Sequence, residues 1–225
     1  MNLNIKYIDN YIEFNDGIIN CLEIENKPYF YRIVKDLNCV ANGENLDDVL
    51  FTDEKYNEII LTNKINMVFD YFNFDFNSKK ILSIINKKIN DNISIEQKDS
   101  LAKLYEKIKK IYNPIIKEFD LNLNINSDFD LELIIKLLNI SIIQKDNILE
   151  NLLVLIDIEK VLCINKIIVF INLKQYLNKN ELLELYKYSI YNNVSILLID
   201  SQSYGVKNEY ENKLIIDNEL EEYKL

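Results

Sequence analysis

The stretch "NDGIINCLEIENKPYFYRIVKDL", Asn15 to Leu37, decides how the chain begins. An apolar run, "IINCLEI", rises from the turn signal Asn15-Asp16-Gly17, with "YIEF" on its other side. That arrangement predicts a hairpin of two short strands. A short polar loop, Glu23-Ile24-Glu25-Asn26-Lys27-Pro28, follows. Then Tyr29, Phe30, Ile33, Val34 and Leu37 recur on one helical face. Asn26 suits the N-cap, and Pro28 suits a first turn, where a missing N–H costs little. Strand, loop and helix in this order frame a nucleotide-binding unit.

The loop itself argues against a phosphate. A phosphate loop needs glycines so that backbone N–H groups can close on the anion, a Lys for the phosphates and a Ser or Thr for magnesium. Glu23 to Pro28 has no glycine and no Ser or Thr. Glu23 and Glu25 repel a triphosphate, Pro28 removes a donor, and Lys27 alone does not compensate. The acidic residue expected after a second strand is also missing, because "IIVFIN" ends in Asn172. Asp70 and Asp200 follow apolar strands, where a carboxylate more often caps a strand end than holds a metal.

Outward from this frame, "VLF" and "INMVFDYF" read as further short strands. From Lys79 the pattern turns helical, capped by Asn77 or Ser78. "KKILSIINKKI", "LAKLYEKIKKIYNPIIK", "LELIIKLLNI" and "ILENLLVLIDIEKVL" carry helical periodicity. Pro114 is expected to kink or divide the second of these. The end of the chain returns to strand, helix, strand. "KIIVFIN" and "VSILLID" are continuous apolar runs, and Asn178 with Glu181 forms a capping box at the helix between them. That spacing argues a right-handed parallel crossover. The expected fold class is α/β. A small head, residues 1–78 and 164–225, is related to nucleotide-hydrolase folds with a degenerate loop. An extended helical arm, 79–163, is inserted in it.

Composition narrows the chemistry. The 225 residues are 48% hydrophobic, enough for a substantial core, and carry a net charge of −10. A uniformly basic nucleic-acid surface is therefore excluded, but a local basic face is not. The absence of histidine removes His-based zinc sites and His general bases. Cys21, Cys39 and Cys163 lack metal-type spacing and read as packed, reduced thiols. No basic leader and no apolar run of about 18 residues is present, so no membrane span is expected and a cytoplasmic location is the default. The aromatic-dense stretches Tyr29–Tyr31 and Tyr71–Phe76 read as core or interface rather than as a base-stacking platform.

Two surface patterns remain. Lysines gather on two of the helices: Lys79, Lys80, Lys87 and Lys88 on one, Lys103, Lys107, Lys109, Lys110 and Lys117 on the next. Lys103, Lys107, Lys110 and Lys117 recur at helical spacing. Lysine suits sequence-blind phosphate contact, where point charge matters more than a planar fork. An ordinary solvated face, tempered by Glu96, Glu106 and Glu118, is the alternative. Separately, "EFDLNLNINSDFDLEL" concentrates oxygen donors from Glu118 to Glu132. Calcium accepts six to eight such oxygens with loose geometry. The run starting at Asp120 opens like an EF-hand loop but has Ile125 where glycine is required and Leu131 where the last Glu should stand. A solvated loop with helix-capping carboxylates is the alternative.

Taken in order, the opening segment, "MVFDYFNFDFNSKKILSIINKKI" and "DNILENLLVLIDIEKVLCINKIIVFINLKQYLNKNELLELYKY" followed by "ILLID" resemble the CRISPR-associated accessory protein of type II-A adaptation modules, the Csn-two family. The resemblance covers nearly the whole chain and is best from Lys166 to Asp200. It implies a head without a working nucleotide site, a long helical domain and four chains in a ring. Double-stranded DNA would thread that ring from free ends, without sequence preference and without catalysis. It implies a role in spacer acquisition, with the CRISPR integrase complex and the RNA-guided effector nuclease as partners. It also implies calcium at the acidic junction, and by local motif the ligands are Glu118, Asp120, Asp128 and Asp130. Asn122, Asn124 and Asn126 stand where relatives are more acidic, which predicts weaker binding or lost sites. The implied DNA contacts are Lys79, Lys80, Lys87, Lys103, Lys107, Lys110 and Lys117. A residual NTPase and a helical scaffold that binds only protein are the alternatives.

Overall fold

The computed structural model describes residues 1–225 except 45–47, 63, 120, 126–128 and 164–166. The chain divides into two compact units, Met1–Phe74 with Gln144–Leu225, and Asp75–Ile143.

The first unit is α/β and holds two sheets. The smaller is antiparallel, with β1 (Asn2–Ile5) between β2 (Ile12–Glu13) and β4 (Val49–Thr52). The larger contains β3 (Ile19–Ile24), β5 (Ile65–Val68), β6 (Ile167–Ile171), β7 (Ser195–Asp200), β8 (Glu211–Ile216) and β9 (Glu222–Lys224). Its order is β5-β6-β7-β3-β8-β9, and every pairing is parallel except β8 with β9. All residues of β3 and β6 are buried, as expected of parallel strands covered on both faces.

The expected hairpin does not form. β2 pairs with β1, while β3 runs in the other sheet between β7 and β8. The turn at Gly17, with φ +79°, therefore links two sheets. A two-residue edge strand cannot compete with two full parallel ladders for β3.

Helix α1 (Lys27–Ala41) starts as expected. Asn26 accepts the Tyr29 amide, and Pro28 lies in the first turn. Tyr29, Ile33 and Leu37 are buried, with Phe30 and Val34 packed against the same core. That core joins α1 and the small sheet to one face of the large sheet, through Leu22, Ile24, Val169, Leu197, Leu214 and Ile216. Side chains alternate along a strand, so Cys21, Glu23, Leu198, Asp200 and Lys213 belong to the opposite face. Helices α5 (Ile148–Leu162) and α6 (Lys179–Tyr191) contact each other and bury Leu152, Ile156, Leu185 and Tyr186. The capping box at Asn178 and Glu181 is present. β6, α6 and β7 form the expected parallel crossover.

The expected end of the arm at residue 163 moves to 143, because α5 belongs to the α/β unit. Periodicity identified α5 as a helix but could not say which core takes its apolar face. Cys163, read as packed, is exposed; it ends α5 in the left-handed conformation.

The second unit is helical, with α2 (Lys79–Asp91), α3 (Ile95–Lys117) and α4 (Leu131–Leu137). Ser78 caps α2, and Ser94 with Gln97 forms a capping box at α3. α2 packs on α4, and Tyr105 lies 5.8 Å from Phe129 between ring centroids. Pro114 does not divide α3, which continues to Lys117. In the last turn proline removes a single backbone hydrogen bond.

Candidate functional site

In an open parallel sheet, ligands bind outside the carboxyl ends of the strands, where neighbouring connections run in opposite directions. Here that point lies between β3 and β7. The chain leaves β3 toward the β5 edge through α1, and leaves β7 toward β8 on the other side. A nucleotide of this fold class would lie there.

The chain's own side chains fill the position. Glu23, read as a loop residue, is in β3 and fully buried. One of its oxygens accepts from Lys174 Nζ and from Lys213 Nζ, each at 2.9 Å. The other accepts from the Ser203 hydroxyl at 3.2 Å and the Tyr204 amide at 3.1 Å. Lys174 also meets Glu211 at 3.0 Å, and the Tyr186 hydroxyl donates to Glu211 at 2.8 Å. Lys174 comes from the 3₁₀ turn Leu173–Gln175 after β6, Lys213 and Glu211 from β8.

Burial raises the Glu23 pKa, but Lys213 and Lys174 outweigh it and hold the carboxyl below its ordinary value. Glu211 is likewise lowered, with Lys174 overcoming the cost of burial. Lys174 is held above its ordinary range despite burial, because Cys21, Glu211 and Glu23 surround it. Glu23, Glu211 and Lys174 are ionised and mutually satisfied. An incoming phosphate would have to displace Glu23 from both ammonium groups and leave a buried carboxylate without a counter-charge, a cost of several kcal/mol.

The loop proper shrinks to Glu25 and Asn26. The Glu25 amide is spent on Ile216, continuing the ladder with β8, and Asn26 is spent on the cap. Lys27 is exposed at the first position of α1. Asn172, at the end of β6, is left-handed and accepts the Ser201 amide at 2.7 Å. Asp70 caps its own turn, accepting from the Phe72 and Asn73 amides. Asp200 does not cap. It is fully buried and neither carboxylate oxygen has a well-formed hydrogen bond.

The buried network was not anticipated from the sequence. "ENKLII" hides a strand, because its first three residues are polar. The available signal was an alternation of Lys213 with Leu214 and of Glu211 with Asn212, whose meaning depends on partners far away in the chain.

The lysine candidates behave differently. Lys79, Lys80 and Lys87 on α2, and Lys103, Lys107, Lys110 and Lys117 on α3, are all exposed. None takes part in an ion pair among the described residues, unlike Lys109, which bonds Glu106. At 100° per residue, Lys103, Lys107, Lys110 and Lys117 span roughly 80° of the helix circumference, a single stripe. Beside that stripe α3 exposes Leu104, Ile108, Ile111, Tyr112 and Ile115, an apolar band with Ile111 65% accessible.

Of the four calcium candidates, Glu118 and Asp130 are described, and Asp120 and Asp128 lie outside the described residues. Glu118 ends α3 and is exposed. Asp130 caps α4, accepting the Glu132 amide with one oxygen at 2.8 Å. The described residues contain no group of three or more metal-type ligands. Glu118 and Asp130 offer oxygens of the type calcium takes, and too few on their own to fill its coordination. No described helix is long and apolar enough to cross a membrane.

The fold and the filled crevice together define a class: a parallel α/β unit with its ligand position closed by internal ion pairs, and a helical insert carrying exposed lysines. The chain belongs to the CRISPR-associated protein family Cas_Csn2, whose model matches residues 43–220. Its structure is similar to that of Stu0660 of Streptococcus thermophilus, with TM-score 0.61 and 14% identity over 100% of this chain and 76% of that one. A nucleotide-free ATP-binding cassette from an ABC transporter aligns with TM-score 0.48 and 14% identity, over 100% of this chain and 92% of the other. No curated protein matches the chain by sequence.

Proposed function

We propose that this protein is a non-enzymatic, ring-forming binder of double-stranded DNA ends that acts in CRISPR spacer acquisition. The family supports the CRISPR association. The observation that carries the DNA reading is the α3 stripe of exposed lysines without ion pairs, in a chain whose overall charge is −10. A closed ring repeats each inward lysine by symmetry, so a modest stripe becomes a strong local field. The acidic remainder disfavours DNA elsewhere. Contacts through Lys79, Lys80, Lys87, Lys103, Lys107, Lys110 and Lys117 address phosphates and carry no sequence information.

The apolar band on α3 supports assembly into a homotetramer. Leu104, Ile111 and Ile115 are about half or more exposed among the described residues, and a 23-residue helix with such a band seeks another surface. Calcium, with Glu118, Asp120, Asp128 and Asp130 as the proposed ligands, would favour the ring. A non-catalytic role is supported by the filled crevice, since Glu23 occupies the ammonium groups a phosphate would need. The integrase complex and the effector nuclease are the proposed protein partners, in the cytoplasm.

Light scattering after size exclusion, with calcium and with a chelator, tests the assembly. A tetramer that loosens on chelation is expected. A monomer under both conditions contradicts the ring and favours a scaffold that binds only protein.

A further inference from the structure

The connection from β7 to β8 is unusual for a parallel sheet. Parallel neighbours are normally joined by a crossover helix that covers the sheet. Here residues 201–210 cross β3 with no helix, Gly205 adopting a φ of +69°. This segment walls a cavity of about 650 Å³, with Tyr204, Val206 and Lys207 on one side and Leu182, Leu183 and Tyr186 of α6 on the other. The start of the segment is held by hydrogen bonds to Asn172 and Glu23, with the Lys213 ammonium donating to the Gly205 carbonyl at 3.3 Å and Lys174 lying 5.6 Å from the Tyr204 ring centroid. The Ser201 amide donates to Asn172, and the Ser203 hydroxyl and Tyr204 amide donate to Glu23.

Asp200 precedes this segment directly. Around it lie Cys21 and Glu23 of β3, Lys174 of the turn after β6, Tyr186 of α6, Glu211 of β8, and Tyr71 and Tyr204. The nearby buried ions are two ammonium groups, Lys174 and Lys213, and two carboxylates, Glu23 and Glu211, already paired. A third carboxylate leaves the cluster one negative charge in excess. Among the described residues neither Asp200 oxygen has a side-chain hydrogen-bond partner, and the Lys174 backbone amide offers it no more than a weak contact. A buried carboxylate in that position is costly when charged and tolerable when neutral.

We propose that Asp200 is held as the neutral acid in the closed protein, and that its ionisation releases segment 201–210 from β3, making the segment a proton-controlled flap over the cavity it walls. Charged Asp200 repels Glu23, the acceptor that fixes Ser203 and Tyr204. The repulsion is relieved when water enters and these two residues leave Glu23. Burial, with Glu23 and Glu211, pushes the Asp200 pKa up to about 7 against the pull of Lys174, which places the change near neutrality.

The test is hydrogen exchange of segment 201–210 in the full-length protein and in Asp200→Asn, compared at each pH so that intrinsic rates cancel. From about pH 5 to about pH 7 the wild-type to variant rate ratio is expected to rise, by at most about tenfold per unit, and then level off. A ratio that stays constant overturns the proposal. If Asp200→Asn does not fold, the wild type is titrated by carbon-13 NMR of its aspartate carboxyls. Asp200 is expected to titrate near neutrality, with the Ser203 and Tyr204 amide signals moving at the same midpoint. Titration in the ordinary carboxylate range, or amides that do not follow, overturns it.

Discussion

Lys174 and Lys213 lie inside the α/β unit, within 2.9 Å of Glu23, while Lys103, Lys107, Lys110 and Lys117 stand exposed on α3. One residue type thus does two kinds of work. In the interior, each ammonium is desolvated and tolerated only because carboxylates and carbonyls surround it, so the group is closed to outside anions. On α3 the ammonium groups stay hydrated and are free to exchange counterions for phosphates. The comparison teaches that the same side chain closes one site by pairing with buried carboxylates and leaves another face charged and open to solvent.

The interior half of the comparison is the easier to break. Glu23→Gln leaves two buried lysines sharing Glu211, and a loss of about 3–5 kcal/mol is expected, read by urea denaturation. The pH dependence of stability follows from the same cluster. Glu23 and Glu211 have lowered pKa values, so their contribution is present above the ordinary carboxylate range and disappears as pH falls through their folded values. Asp200 has the opposite sign. Its pKa rises from 3.8 to about 7, so stability declines as pH rises between these values, by up to about 4 kcal/mol, and then levels. Thermal melts from about pH 4 to pH 8 should show that decline in the wild type and not in Asp200→Asn.

On the exterior half, Lys103, Lys107, Lys110 and Lys117 changed together to Ala should leave the melting temperature unchanged within a few degrees. Duplex affinity should drop by at least about a hundredfold at moderate salt, with the salt slope reduced by at least about 3–4, because each substitution is repeated around the ring. A smaller effect separates packing from binding. Asn178→Ala removes the side-chain half of the α6 capping box, the oxygen that accepts the Asn180 and Glu181 amides, and should cost about 1 kcal/mol, with DNA affinity intact. The smallest belongs to Lys27→Ala. Lys27 is exposed at the first position of α1, so stability and DNA affinity should both stay within about 0.5 kcal/mol of wild type.

Much of the framework was legible before any coordinates. Asn26 and Pro28 announced α1, Asn178 and Glu181 announced α6, and the apolar runs at 167–171 and 195–200 announced two central strands. These signals are local, arising from caps and from uninterrupted burial. What failed was long-range. The partner of β3 could not be read at Gly17, and the core that takes α5 could not be read from its own periodicity. Strand β8 was missed because Glu211, Asn212 and Lys213 look like surface, and become interior only by pairing with Tyr186, Asn20 and Glu23. Glu23 is a buried strand residue holding two lysines rather than the loop carboxylate that the sequence suggests. The lysine stripe was visible as spacing; its freedom from ion pairs required the structure.

The central claim, that DNA is gripped by threading a ring and not by a flat basic patch, is tested most directly by comparing linear duplex with a covalently closed circle of the same sequence at moderate salt. The account predicts binding to the linear form that weakens steeply with salt, and little binding to the circle. Equal affinity for both forms would contradict it.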